Sequence, residues 1–418
     1  MRKLPLLLVV LMALVACSSA QAARTELTLY WCCGTPNVGQ MWTDMAREFE
    51  SLNPDIKVNV LFPPGAGTYY NKVTVAMMAG SGPDVMWLGG GLYSLTDFLM
   101  PLQDVVAGDA SLKTIPQTLL AMNMWQGNLM GLPFGLSVYT LFYNKALLSE
   151  AGVKAPTTVL TWDELINTAR KLTKDTDGDA KIDSWGFSGV NSGWDHLYSY
   201  GGNPYTEDGR HLRMYNPENV NAWKIAQSIY NNGEVIPNIN EMSLSSIKTF
   251  TNSKLAMTVE GNYSMDSLDK AGLQYDLAPF PSLNYEGRNI RVGQATPVSL
   301  AVSAQTKHPV EAIKLLKFLT NKENMNVYAR TGYAVTTVPS SMPTFINADK
   351  VHNRKVFIDE IPYFGQYIFQ NAAYLKIERT LSLVGRDNIL ANKMTVSEAL
   401  ETAQTQANAL LDEFWANR

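Results

Sequence analysis

Four aspartates fall within nine positions of "KDTDGDAKIDSWGF", residues 174–187. Asp175, Asp177, Asp179 and Asp183 alternate with small or polar residues, which is how a calcium loop begins. A complete EF-hand loop takes oxygens from positions 1, 3, 5, 7, 9 and 12, turns on a glycine at position 6 and closes on a bidentate glutamate. Counted from Asp175, position 6 is Ala180 and position 12 is Gly186, so the turn is weakened and the closing ligand is missing. Upstream, "TWDELINTARKLT" reads as a helix opened by a Thr161/Glu164 capping box; downstream, "DSWGF" reads as a short strand. A sensor needs a helix on both sides, so that reading is excluded. A structural calcium site and a solvated Asp/Gly turn both remain.

Other reactive constellations are missing their partners. "GFSGV" breaks the Gly-x-Ser-x-Gly pattern at its fifth position, and no His-Glu-x-x-His is present. The four histidines, His196, His211, His308 and His352, are scattered. "GSGPDV" precedes a strand instead of a helix, so it is no phosphate loop. A glycosidase needs a carboxylate pair across a cleft, which scattered acids neither supply nor exclude. Cys32 and Cys33 are adjacent. They close too short a loop to staple a fold, but in an oxidising compartment they could form a vicinal disulfide. The alternative is two small, free, buried residues at a strand end.

The N-terminus sets the compartment. Arg2 and Lys3 precede the apolar run Leu4 to Ala16, which is too short for a mature membrane span of roughly 20 residues but suits a signal-peptide core. "LVAC" ends at Cys17 and resembles a lipobox, whose cysteine becomes the lipidated first residue; "AQA", Ala20 to Ala22, is the competing cleavage site. The lipobox is favoured. Without Arg2 and Lys3 the chain carries 32 basic and 38 acidic residues, with no dense Lys/Arg patch, which argues against nucleic acid as a partner.

The remaining chain is long enough for two domains and alternates strand with helix. "ELTLYW", "IKVNVLF" and "DVMWL" are strands; "GQMWTDMAREFESL" is a helix with Trp42, Met45, Ala46, Phe49 and Leu52 on one face. Such units imply a parallel sheet covered by helices, with ligands beyond the carboxyl ends of the strands. That places "WCCGTPN", "GAGTYYN" and "WLGGG" along one rim. Further on, "TLFYN" and "TPVSLAVS" read as strands. "HPVEAIKLLKFLTNKENMNVYAR" reads as one long helix with Val310, Ile313, Leu316 and Leu319 inward, and a final helix opens with a Thr395/Glu398 capping box.

Several segments, in order, resemble the bacterial extracellular solute-binding proteins of ABC importers, in the sugar-binding family that includes maltose-binding protein. They are "LTLYW", "GSGPDVMWL", "GLPFGLSVYTLFYNKALLSEAG", "PTTVLTWDELINTARKLT", the aspartate turn before "WGF", "KLAMTVEGNYS", "HPVEAIKLLKFLTNKEN" and "TVSEALETAQTQANALLDEF". They span nearly the whole mature chain. The resemblance implies an α/β, two-lobe periplasmic-binding-protein-like fold of type II, each lobe a mostly parallel sheet flanked by helices. After the leader, 1–23, the first lobe would hold 24–135 and 276–337, and the second 136–275 and 338–418. The crossings would lie near Gly135, Asp276 and Val338.

It also implies a ligand-closed clamp read by membrane permease subunits, no required cofactor, a monomer, and a chain exported to the periplasm or lipid-anchored outside the cell membrane. By position, the expected ligand contacts are Trp31, Thr35, Asn37, Tyr69 and Trp87 on the first lobe and Trp194, Glu260, Asn262 and Tyr263 on the second. Gln294, Tyr333 and Tyr374 are added; each aromatic could equally be core. The expected cargo is a neutral sugar, an oligosaccharide given the wide Gly-rich rim. A phosphorylated ligand such as glycerol phosphate needs rim cations, and only Lys72 is near; a polyamine needs several acids, and only Asp84 and Glu260 are close. A polyol stays open, and an exported carbohydrate-active enzyme is the rival class.

Overall fold

The computed structural model describes residues 24–63, 66–188, 197–231, 246–364 and 373–417. The leader and its Cys17 lie outside them.

The chain opens with β1 (Thr25–Tyr30), α1 (Pro36–Leu52), β2 (Ile56–Leu61), α2 (Ala66–Met78) and β3 (Val85–Leu88). α1 has Pro36 in its first turn and stops before Pro54, which disfavours helix at the residue preceding it. It buries Val38, Trp42, Met45, Ala46 and Phe49 and leaves Leu52, expected on the same face, 64% exposed in its last turn. The central element is β4, the strand Leu132–Asn144. Then come α3 (Trp162–Leu172), β5 (Trp185–Ser188), α4 (Pro217–Asn231), β6 (Leu255–Gly261), β7 (Tyr275–Ala278) and β8 (Ala295–Val302). Last are α5 (Pro309–Leu319), α6 (Lys322–Thr331), β9 (Val335–Thr336) and α7 (Val396–Ala416).

Both capping boxes form. The Thr161 and Thr395 side chains accept from the third backbone N–H of α3 and α7, and Glu164 and Glu398 reach back. The expected long helix at 308–330 is instead two. Asn321 caps a new start, its side chain accepting from Asn324 N, and the apolar face runs through Ala312, Leu315, Leu316 and Leu319, leaving Val310 exposed. An Asn that can cap a helix competes with its interior, which breaks the run.

One continuous sheet has the order β2-β1-β3-β8-β4-β6-β5, with β7 and β9 also on β4. It is mixed, where a mostly parallel sheet in each lobe was expected. β1 is parallel to β2 and β3, and β5 to β6, but β8 runs antiparallel to β3 and β4, and β6 and β7 antiparallel to β4. The reason is topological: β4 leaves one half of the molecule, and β8 returns to it in the opposite direction.

Pairing changes hands within β4. Leu132 to Val138 pair with β8, and Tyr139 to Tyr143 with β6. The first crossing thus falls between Val138 and Tyr139, three residues beyond Gly135. Asp276 lies inside β7, opposite Tyr143, and Leu283 and Val292 still pack with the second half, so the return crossing ends at Gln294. Val338 packs with the first core. That core gathers Leu27, Trp31, Trp42, Phe49, Phe134 and Tyr328; the other gathers Trp162, Phe187, Trp223, Phe280 and the α7 face Val396, Leu400, Ala403, Ala407 and Leu411. Each large apolar side chain taken from water contributes about 1.5–3 kcal/mol.

Candidate functional site

The rim of the first half begins where β1 ends. Trp31 is 1% exposed and stacks on Trp42, ring centroids 4.0 Å apart, with Phe134 at 5.7 Å and Trp87 at 6.3 Å. Its indole N–H donates to the Cys33 carbonyl at 3.1 Å. Tyr69 is fully buried and its hydroxyl donates to the carbonyls of Trp87 (2.7 Å) and Tyr30 (3.3 Å), tying β3 to β1; burial holds its phenol well above the ordinary range. Trp31 and Tyr69, expected at the ligand, are both packed into the first core. A strand-exit aromatic pointing down the sheet packs as readily as one pointing up.

Trp87 is 9% exposed, and its indole nitrogen is buried with no hydrogen-bond partner. Tyr70, which sequence reasoning passed over for Tyr69, accepts the N–H groups of Gly89 (2.8 Å) and Gly91 (3.2 Å) on its hydroxyl. A Cβ on Gly91 would sit 2.5 Å from the Tyr70 ring, so this loop requires glycine there. Thr35 caps α1 without a side-chain hydrogen bond, and Asn37 is exposed in its first turn. Cys32 and Cys33 are joined as a vicinal disulfide. Cys32 is wholly buried and Cys33 half-buried, with Cys33 at φ 58° and Gly34 at φ 121° turning the chain back into α1. Against Gly34 lies the ring of Tyr333, 3.6 Å from where a Cβ would stand.

Across the crossings, β6 ends in Glu260 and Gly261, followed by Asn262 and Tyr263. Glu260 is buried and accepts from the Ser264 hydroxyl at 3.1 Å. Asn262 is 1% exposed; its amide accepts from Val138 N and donates to the Tyr333 carbonyl, both at 2.7 Å. Expected at the ligand, it holds the backbone of Val138 at the first crossing and of Tyr333 in the first half. Tyr263 is half-buried, edge-on to Tyr139 at 6.1 Å, with their hydroxyls 3.3 Å apart. Desolvation raises the Tyr263 phenol far above its ordinary value, and Tyr139 and Glu260 raise it further. Burial pushes Tyr333 up to about 12. Gln294 is buried, its backbone carbonyl accepting from Tyr139 N at 3.0 Å while its side-chain oxygen has no partner.

Tyr333 lies against Gly34 beside Cys33, Tyr139 meets Tyr263 and Gln294, and Asn262, bonded to Tyr333 and adjacent to Tyr263, links the two groups. Tyr139 was missed; it stood in "SVYTLFYN" as one of several alternating strand residues. Trp194 lies outside the described residues, as does the side chain of Tyr374, which opens the helix Tyr374–Thr380.

The aspartate turn sits between α3 and the edge strand β5. Carboxylate oxygens of Asp175, Asp177 and Asp183 lie within 4.8 Å of one another, all exposed. Asp179 leaves the group and pairs with Lys181 at 3.4 Å. The loop is braced from within. Asp175 accepts from Gly178 N and Ala180 N, and Asp183 accepts from Thr176, whose hydrogen bonds hold its carboxyl below the usual range.

A family described as "Bacterial extracellular solute-binding protein" matches residues 35–326. The multiple sugar-binding protein of Streptococcus mutans is 24% identical over 345 residues, covering 75% of this chain and 77% of that one. The galactooligosaccharide-binding protein of Bacillus subtilis is 26% identical over 400 residues, covering 88% and 86%. In fold, the chain is similar to an ABC substrate-binding protein from Listeria monocytogenes in complex with cycloalternan, with TM-score 0.80 at 22% identity over 93% of this chain and 99% of that one. The match spans well over half the sequence and both halves of β4, and the chain belongs to the bacterial extracellular solute-binding protein family.

Proposed function

We propose that this protein is the extracytoplasmic sugar-binding component of an ABC importer, taking an oligosaccharide between its lobes and presenting the closed form to permease subunits. The observation that carries the reading is the composition of the crossing region. The half-buried phenols Tyr139, Tyr263 and Tyr333 and the Gln294 amide with its unpartnered oxygen surround a hinge, and no lysine or arginine is among them. Sugars offer apolar ring faces and hydroxyl rims, which aromatic faces and amides match; a phosphorylated ligand would call for cations. The relatives named above, with a multiple sugar, a galactooligosaccharide and a cycloalternan in their names or complexes, support the same class. No catalytic step is assigned to the site.

The protein acts as a monomer, carried by the lipid anchor on Cys17 or free in a periplasm. The Asp175, Asp177 and Asp183 carboxylates are the set that would hold one structural calcium; a rise in Tm with added calcium, abolished in Asp175→Asn, tests that part.

The main test is intrinsic tryptophan fluorescence, titrated with mono- and oligosaccharides. A saturable change with one sugar class supports the reading. Silence across the panel, with no thermal shift, overturns the sugar and leaves polyols, glycerol phosphate and polyamines to try. New reducing ends after incubation with glycans would indicate an enzyme.

A further inference from the structure

We propose that Asn262 is the pin about which the two lobes close, a positioning residue and not a ligand contact. The inference rests on the closing-clamp reading above. Three facts carry it. Asn262 stands one residue after β6, in the second half, and one residue before Tyr263. Its side chain takes the N–H of Val138, the last residue of β4 paired to the first half, on its oxygen at 2.7 Å. Its NH2 gives a hydrogen to the carbonyl of Tyr333 at 2.7 Å, and Tyr333 follows α6 and Gly332 in the first half. One side chain of the second lobe thereby holds two first-half backbone groups far apart in sequence, the Val138 N–H at the first crossing and the Tyr333 carbonyl after α6.

The residue type is demanding. An amide carries its acceptor and its donors on two separate atoms, so one short side chain can take an N–H on one side and give to a carbonyl on the other; a hydroxyl must do both from a single oxygen. Aspartate keeps the acceptor and loses the donor; leucine loses both. Asn262 is buried, which keeps water from readily replacing either bond, so losing one leaves a backbone group to be satisfied at a cost. The grip lies where pairing changes from β8 to β6, so rotation of the lobes moves its two partners least.

Its neighbours tie it to the site on both sides. Tyr263, next in sequence, meets Tyr139. Tyr333 carries its ring against Gly34, beside the Cys32–Cys33 disulfide. The pin therefore sets the register between the second-lobe phenol and the first-lobe rim that closes on it.

The test compares Asn262→Asp and Asn262→Leu with the unaltered protein, first without ligand. Hydrogen exchange at the Val138 amide should stay slow in Asn262→Asp and speed up at least tenfold in Asn262→Leu. Solution scattering of both ligand-free variants should show a larger radius of gyration and a broader ensemble. With sugar added, affinity should fall at least tenfold in both. Tyr263→Ala, the control, should lose affinity with unchanged ligand-free scattering. Unchanged scattering in Asn262→Asp, with only a lowered Tm, would overturn the proposal and leave Asn262 as an ordinary buried amide. If Asn262→Leu does not fold, the near-isosteric Asn262→Asp decides alone. The ligand-free readings stand even if no sugar binds, so failure of the sugar reading cannot be mistaken for failure of the pin.

Discussion

The two sides of the crossing region both place aromatic residues at strand exits, and the fold treats them in opposite ways. On the first side the indole of Trp31 and the phenol of Tyr69 turn down into the core, and what reaches the rim is glycine, the half-buried Cys33 and the edge of Trp87. On the second side Tyr263 and Tyr139 stay half-buried with their hydroxyls together. The difference follows from what lies beneath. β1 and β3 are covered by α1 and α2, whose Trp42, Val73 and Met77 invite large apolar partners. Beside Tyr263 lie the buried carboxylate of Glu260 and the hinge amides, which leave no apolar floor for the ring. One rim is therefore a packed wall, and the other a polar, aromatic lip.

The largest expected effect comes from removing the wall. Trp31→Ala deletes a fully packed indole and should cost about 3–5 kcal/mol of stability, seen as a Tm drop of roughly 10 °C. Well below that Tm, sugar affinity should change less than about threefold, below half a decade on the affinity scale. A large loss of affinity with intact stability would put Trp31 at the ligand and break the comparison.

Next is the lip. Tyr263→Ala should weaken sugar binding about 10–100-fold, the range of a well-placed aromatic contact, while changing stability by only about 1 kcal/mol. Isothermal titration and thermal melts on one sample check both. Because the Tyr263 phenol is held far above its ordinary value, it stays protonated, so binding should show no titration from this group as pH rises through the mildly alkaline range.

How much of this was legible in the sequence varied with the kind of signal. Capping boxes at Thr161 and Thr395 and the apolar spacing of α1 are local, and they read correctly because helix ends and faces depend on residues three and four apart. The break at Asn321 was also local, but a continuous apolar pattern masked it. The parallel units at the start were readable; the antiparallel traffic of β4 and β8 was not, since it depends on which way a distant segment returns. Site residues were hardest. Which way Tyr69 and Tyr70 face is fixed by the helix phase of α2 over the sheet, and the amide of Asn262 could not be told from a ligand donor until Val138 and Tyr333 were seen beside it.

A third, smaller effect tests whether the packed wall still offers the ligand anything. Converting both Cys32→Ala and Cys33→Ala removes the disulfide and the half-buried surface of Cys33. The closed loop is too short to restrain the unfolded chain, so stability should move by only about 1 kcal/mol. If Cys33 forms a platform under the sugar, affinity should fall about three- to tenfold, a cost of roughly 1 kcal/mol, and a reductant acting on the unaltered protein should reproduce it. No change in affinity by titration would sink the platform and leave binding on this side to the Trp87 edge.

The smallest expected effect sharpens the lip itself. Tyr139 and Tyr263 share one hydroxyl contact at 3.3 Å, and Tyr139 is also held by its backbone N–H donating to Gln294. Tyr139→Phe keeps the ring, the edge-on packing and the strand, and removes only the oxygen that accepts from Tyr263. A neutral hydrogen bond is worth about 0.5–1.5 kcal/mol net, so affinity should fall only about two- to tenfold, with Tm nearly unchanged. Tyr263→Phe should lose a similar amount. The double variant should lose no more than the larger single one, because both remove the same bond. Additive losses by titration would mean that each hydroxyl reaches the sugar separately, making the lip two independent contacts instead of one coupled pair.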